Sequence, residues 1–112
     1  MQKRNFLMLV AMAKPDARLL QDALARLKRE ADPNAIPAWL DGIAAGIFMS
    51  TNLTAREIMT CVLPGNPTHE QRESVREVLV VELGRESWSS STTTKAAAWL
   101  NAHRLPPPTP DA

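Results

Sequence analysis

The sequence has few of the residues that build disulfides, metal sites and phosphate loops. Its single cysteine, Cys61, excludes an internal disulfide and favours a reducing compartment. The two histidines, His69 and His103, are not spaced with Cys61 in a way that predicts a shared metal ion. The four glycines are isolated, at positions 42, 46, 65 and 84, which excludes a glycine-rich phosphate loop. We therefore expect neither a metal nor another cofactor.

The chain also has no tyrosine, no marked excess of charge and no long hydrophobic run. Thirteen basic and twelve acidic residues leave a net charge of +1, so no overall field attracts nucleic acid. The apolar run at residues 6–13 is too short to cross a bilayer, and no cleavage site follows it cleanly. We expect a cytoplasmic protein without membrane contact. The length predicts one domain, residues 1–104, and then a disordered proline-rich tail, residues 105–112.

Residues 6–13 predict an interior strand, because they are apolar on both alternating faces. Side chains along a strand point alternately to opposite sides of the sheet. One side would carry Phe6, Met8, Val10 and Met12, and the other Leu7, Leu9, Ala11 and Ala13. Such a strand belongs in the middle of a sheet that is covered on both sides.

Local signals predict a helix and a hairpin after this strand. Apolar residues recur at three- and four-residue steps over residues 15–31, which is typical of an amphipathic helix. Asp41 and Gly42 form the dipeptide that most strongly indicates a hairpin, here between strands at 36–40 and 45–51.

The second half of the chain predicts two more helices and one more strand. Thr54 and Glu57 have capping-box spacing at the start of a helix. The remaining predicted segments are the end of that helix at Pro64-Gly65, a loop at 66–74 with one turn opened by Thr68, a strand at 75–83, a loop at 84–94 and a last helix at 94–103.

This order of elements predicts an α+β fold of the ferredoxin-like kind. It is a split β-α-β arrangement, βαββαβ, with an antiparallel sheet and an extra C-terminal helix. The first and third strands would be central, and two helices would cover one face of the sheet. Because the first strand demands cover on both sides, either the last helix or another subunit would cover the second face.

Several motifs, in this order, resemble a family of small bacterial proteins of the SinR type. The matching pieces are the apolar strand running into Lys14-Pro15, then Trp39-Leu40-Asp41, the segment 53–58, the segment 79–85 with Trp88, and the segment 95–100. That family is unrelated to the helix-turn-helix repressor of similar name and shares the fold of the CRISPR adaptation scaffold subunit. The resemblance implies a ferredoxin-like fold, dimerisation through sheets and a mobile-element or defence setting, and it implies little about activity.

The resemblance also directs attention to the end of the first strand. In the related scaffold-subunit fold, an acidic residue at this place is proposed to hold a metal for phosphodiester cleavage. This chain has Ala11-Met12-Ala13 there, and the nearest carboxylate is Asp16, which follows Pro15 and fits a helix cap. Asp16 is therefore the one catalytic candidate, and helix capping is its favoured role.

Two polar segments suggest a nucleic-acid contact and a Ser/Lys nucleophile, but the neighbouring residues favour a structural role for each. The first helix has a basic side that includes Arg26 and Arg29, and cations dominate affinity for a phosphate backbone. Acidic residues are interleaved with these arginines, so a solvated face is favoured over a nucleic-acid footprint. The Ser/Thr run at 89–94 lacks Ser-x-x-Lys spacing to Lys95, and we expect it to cap the last helix.

The favoured function is that of a non-catalytic binding or scaffold protein that forms a homodimer. Its predicted contacts are the apolar second face of the sheet, through Met8, Val10, Val80 or their alternates, and Trp88 in its polar loop. A protein partner is favoured over nucleic acid. Two alternatives stay open: a metal-dependent endoribonuclease of the toxin or CRISPR-adaptation type that uses Asp16, and a non-catalytic nucleic-acid-binding protein.

Overall fold

The computed structural model describes residues 3–84 and 93–103, and within them it is an α+β protein. The elements in chain order are β1 (Arg4–Met12), α1 (Ala17–Glu30), β2 (Ile36–Leu40), β3 (Ala44–Thr51), α2 (Ala55–Thr60), α3 (His69–Ser74), β4 (Val75–Glu82) and α4 (Lys95–Ala102). The four strands form one antiparallel sheet in the order β2-β3-β1-β4. The sheet is compatible with a ferredoxin-like fold, and β3 and β1 lie between β2 and β4 in it.

The helices begin where short polar side chains cap them. Asp16 accepts a hydrogen bond from the Leu19 backbone N–H at 3.0 Å, which starts α1 two residues later than the predicted boundary. Thr54 and Glu57 form the predicted capping box of α2, with bonds of 3.1 and 2.9 Å. These starts follow from local sequence, because a capping side chain satisfies amides that no helical carbonyl reaches.

The segment that follows α2 is more ordered than the sequence predicted. Thr68 and Gln71 form a second capping box, with bonds of 3.0 and 2.8 Å, and a six-residue helix, α3, replaces the expected loop with one turn. The Ser74 hydroxyl donates to the Glu70 carbonyl at 2.9 Å inside that helix. α3 leads directly into β4.

The core lies between one face of the sheet, here called the inner face, and helices α1 and α2. The buried residues of the inner face are Phe6, Met8, Val10 and Met12 of β1 and Ala45, Ile47 and Met49 of β3. Leu20 and Leu27 of α1 and Ile58 of α2 complete this cluster, and each is fully buried. The alternation of β1 therefore holds as predicted, with every second side chain from Phe6 to Met12 in the core.

Candidate functional site

The other side of the sheet carries apolar side chains that the described helices leave largely uncovered. We call Leu7, Leu9, Trp39, Leu79 and Val81 the open face. Trp39, Leu79 and Val81 are 47%, 49% and 36% exposed, and Leu7 and Leu9 are partly exposed. In the register of the sheet, Leu9 lies opposite Leu79 and Leu7 opposite Val81, so these residues are contiguous.

Helix α4 covers a different part of the same side of the sheet. The Trp99 ring stacks on Phe48 of β3, with ring centroids 5.0 Å apart, and on His103, with centroids 4.0 Å apart. The Asn5 side-chain amide donates to the His103 carbonyl at 2.8 Å, which ties the end of α4 to β1. The last helix thus supplies part of the cover that β1 was predicted to need. Within residues 3–84 and 93–103, that cover stops short of the open face.

Trp39 belongs to the open face because Gly46 leaves room for its ring. The two residues are opposite each other on β2 and β3. A Cβ atom on Gly46 would lie 2.5 Å from the Trp39 ring, much closer than van der Waals contact. Gly46 therefore lets the indole lie against the β3 backbone, beside Leu9, which pairs with Gly46 from β1.

Of the two alternating sets of residues predicted for partner contact, the set Met8, Val10 and Val80 faces the core. Met8 and Val10 are 0% and 3% exposed and belong to the core, and Val80 is partly buried against it. Their alternates, Leu7 and Leu9 on β1 with Leu79 and Val81 on β4, occupy the open face instead. The alternation predicted two apolar faces, but only the packing of α1 and α2 decides which of them is covered. Trp88 and the proline-rich tail lie outside the described residues.

Asp16 caps helix α1, which is the role that the sequence favoured for it. Its carboxylate accepts from Leu19 N–H, and its own backbone N–H donates to the Gly42 carbonyl at 2.8 Å. Across residues 3–84 and 93–103, no three His, Cys, Asp or Glu side chains are grouped so that they could hold a metal ion. His69 instead lies 2.9 Å from Glu73 in the exposed helix α3, and His103 stacks on Trp99.

Arg26, a candidate for nucleic-acid contact, is engaged inside the molecule. Its Nη1 donates to the Cys61 carbonyl at 2.8 Å and to the Val62 carbonyl at 3.4 Å, at the end of α2. Carbonyls at a helix end lack helical partners and favour a cation nearby. The guanidinium is therefore used to hold α2 against α1. Arg29, one turn further along α1, is exposed.

We expect Arg26→Ala to destabilise the fold by about 1–2 kcal/mol, because two partly buried carbonyls lose a charged donor. Arg29→Ala is the matched control on the same helix and should change the free energy of unfolding by less than about 0.5 kcal/mol. Urea unfolding followed by circular dichroism measures both. Equal stability of the two variants would show that the contact of Arg26 with α2 does not stabilise the fold.

The single thiol lies in the interface between α1 and the end of α2. Cys61 is buried, and its Sγ donates to a Glu30 carboxylate oxygen at 3.5 Å. Burial raises the pKa of the Cys61 thiol, and the hydrogen bond and negative charge of Glu30 raise it further. The thiol is therefore held in its protonated, less nucleophilic form.

We expect iodoacetamide at pH 8 to alkylate the native protein at least about tenfold more slowly than the urea-unfolded chain, because only the thiolate reacts and access is blocked. Because folding raises the pKa of the Cys61 thiol, the folded protein holds a smaller fraction of thiolate than the unfolded chain at pH 8. Mass spectrometry of the labelled protein gives both rates without ambiguity, since the chain has one cysteine. Equal rates in the two states would contradict the buried position.

Neither a search for membrane-spanning helices nor comparison with known proteins assigns a function to the open face. No helix in the described part of the chain is both long enough and apolar enough to cross a membrane. Comparison with protein-family models, with curated proteins and with solved structures finds no match to this chain.

Proposed function

We propose that this protein is a non-catalytic binding or scaffold protein, a homodimer whose open face contacts a protein partner. The observation that carries the proposal is the contiguous apolar surface formed by Leu7 and Leu9 beside the exposed Leu79 and Val81. Contiguous apolar surface on a folded domain marks interaction sites, whereas single exposed apolar residues are ordinary. Trp39, an amphipathic ring at the border of this surface, is the type of side chain that anchors protein contacts.

The topology supports the more specific part of the proposal, a ferredoxin-like fold. The strand order β2-β3-β1-β4 has α1 between β1 and β2, and α2 and α3 between β3 and β4. A split β-α-β arrangement is built in this way, with the two central strands adjacent and antiparallel. The resemblance to SinR-type proteins belongs to the same proposal, and so does a mobile-element or defence setting.

Two side-chain placements favour binding over the alternatives. The Asp16 carboxylate accepts from the first turn of α1 through Oδ1, as a helix cap does, and this contact favours capping over metal-dependent cleavage. The Arg26 guanidinium donates to a carbonyl at the end of α2, so one of the arginines of the suggested nucleic-acid footprint is already engaged within the molecule. The open face differs from both, because its most exposed residues, Trp39, Leu79 and Val81, are apolar and 36–49% exposed.

Site-specific photo-crosslinking tests the proposal. A benzophenone amino acid at Trp39 would lie on the open face, and one at Met59 would lie on α2, where the native side chain is similarly exposed, 42% against 47%. We expect a cross-linked protein adduct in host-cell extract from position 39 and none from position 59. Addition of Leu9→Lys should remove the adduct while the circular dichroism spectrum stays native. Equal adducts from both positions, or none from position 39, would refute the open face as the contact surface.

A further inference from the structure

Of the two edge strands of the sheet, β4 is the one whose length and sequence permit pairing with another strand. It spans eight residues, Val75–Glu82, and contains no proline. The opposite edge, β2, has five residues, Pro37 and an irregular register next to that proline, and these features hinder pairing with another strand. Within residues 3–84 and 93–103, no strand pairs with the outer side of β4. An unpaired edge of this length is a template for another strand.

The hydrogen-bonding phase of β4 decides which backbone groups are free at this edge. Leu83 N–H donates to the Asn5 carbonyl at 2.8 Å, and these two residues are opposite in the continued register of β1 and β4. Hydrogen-bonded pairs recur at every second residue in an antiparallel ladder, so the backbone groups of Leu79 and Val81 point to β1. The N–H and C=O groups of Val78 and Val80 consequently point in the opposite direction, outward from the edge of the sheet.

We propose that two copies of this chain pair β4 with β4 in antiparallel orientation, about a two-fold axis at Leu79. Val78 of each copy then exchanges hydrogen bonds with Val80 of the other, which uses the free backbone groups. In the same register, Arg76 of each copy lies opposite Glu82 of the other. This inference deepens the proposed homodimer and rests on it: it names the junction and leaves the open face for the partner.

Charge complementarity selects this register over its neighbours. Residues opposite each other in an antiparallel pair have side chains on the same face of the sheet. The two-fold axis must therefore pass through a residue of β4, because an axis between two residues would pair side chains from opposite faces. An axis at Val78 would place Arg76 against Val80, and an axis at Val80 would place Glu82 against Val78. Only the axis at Leu79 brings the opposite charges together, and it does so twice.

The two charged residues are available for these contacts. Arg76 and Glu82 are exposed, and Arg76 lies in the irregular part of β4, where the register with β1 shifts between Ala11 and Met12. Glu82 already accepts from Arg4 at 3.2 Å, and a carboxylate has a second oxygen for another guanidinium. On the side of the sheet that carries the open face, Glu77 of one copy lies opposite Val81 of the other, and the Glu77 carboxylate stays exposed to solvent.

Pairing in this way places the two open faces side by side. Leu79 of one copy lies next to Leu79 of the other, and both point to the same side of a continuous eight-stranded sheet, because a two-fold axis perpendicular to the sheet preserves its faces. The assembled dimer therefore offers one apolar platform about twice the width of that in a single copy. A symmetric partner, or a partner with two equivalent contact segments, fits such a surface.

Charge reversal tests the register directly, through sedimentation of the full chain at micromolar concentration. We expect the native protein to sediment at about twice 12.3 kDa. Arg76→Glu and Glu82→Arg should each weaken the dimer by about tenfold or more, since either variant opposes like charges at both junctions. An equimolar mixture of the two variants should form a heterodimer, because both of its junctions again join opposite charges.

Controls separate this inference from a loss of folding and from the proposed function. Arg72→Glu makes the same charge change on the exposed surface of α3 and should leave the dimer intact. Circular dichroism verifies that each variant is folded. Variants that dimerise as the native chain does, or a mixture that forms no heterodimer, would overturn this inference and leave the proposed homodimer standing. A monomeric native protein would overturn both. The cross-link from position 39 reports on partner binding independently of all three results.

Discussion

Met8→Lys is expected to unfold the protein. Met8 is fully buried at the centre of the inner face, where β1 packs under the helices. The lost packing costs about 2–5 kcal/mol. A buried, unpaired ammonium group adds several kcal/mol. Together these approach the whole stability of about 5–15 kcal/mol that a domain of ordinary stability possesses. Circular dichroism at 25 °C should show loss of the native spectrum.

Ala11→Lys is the matched control, because it introduces the same side chain three residues further along the same strand. Ala11 lies on the opposite face of β1 and is exposed, beside Glu77 on β4. We expect its free energy of unfolding to stay within about 0.5 kcal/mol of the native value. If both variants unfold, both faces of β1 are covered in the folded molecule. If neither unfolds, the helices do not pack on the inner face as described.

Asp32→Ala should destabilise the fold by about 2–5 kcal/mol. Asp32 is 95% buried, with only 5% of its surface exposed, and its two carboxylate oxygens accept from Asn34 N–H at 2.9 Å and Ser50 N–H at 2.8 Å. The second bond joins the loop after α1 to β3 across 18 residues of chain. Removal of the carboxylate leaves two amides without their acceptor, at about 1–3 kcal/mol each. Urea unfolding measures the loss.

Asp41 supplies a control with the same chemistry in an exposed place. Its Oδ1 accepts from Ile43 N–H at 2.8 Å and from Ala44 N–H at 2.9 Å within the exposed turn between β2 and β3. Water replaces a lost acceptor there, so Asp41→Ala should cost about 1 kcal/mol or less. Asp32→Asn should fall between the two, since an amide retains one acceptor oxygen. Equal losses for Asp32→Ala and Asp41→Ala would refute the importance of burial.

The helices and the hairpin were predictable from the sequence because their signals are local. Thr54 with Glu57 caps α2 within four residues, and the Asp41-Gly42 turn closes the hairpin between β2 and β3. α3 was predicted only as a single turn opened by Thr68, although Thr68 and Gln71 have the same capping spacing as Thr54 and Glu57. The signal was present, but the short polar segment after it carries no apolar periodicity to extend it.

The surface proposed for partner contact was less predictable, because residues on both faces of β1 are apolar. Alternation separates Met8 from Leu9 but cannot say which of them the helices cover. The role of Arg26 was hidden for a similar reason, since the carbonyls that it binds lie 35 and 36 residues away in the chain. From the sequence alone, an arginine on a helix is interpreted as a surface charge. Only the tertiary structure shows that the end of a neighbouring helix lies beside it.

The sequence by itself therefore determined the order of the elements other than α3, the caps of α1 and α2, the turn at Asp41 and the two-sided apolar character of β1, because each depends on residues within a few positions of one another. The tertiary structure alone decided that Met8 is core, that Leu9 and Leu79 are surface, and that the Arg26 guanidinium binds the carbonyls at the end of α2. Those outcomes depend on contacts between distant segments, and the burial that they produce is a property of the packed molecule.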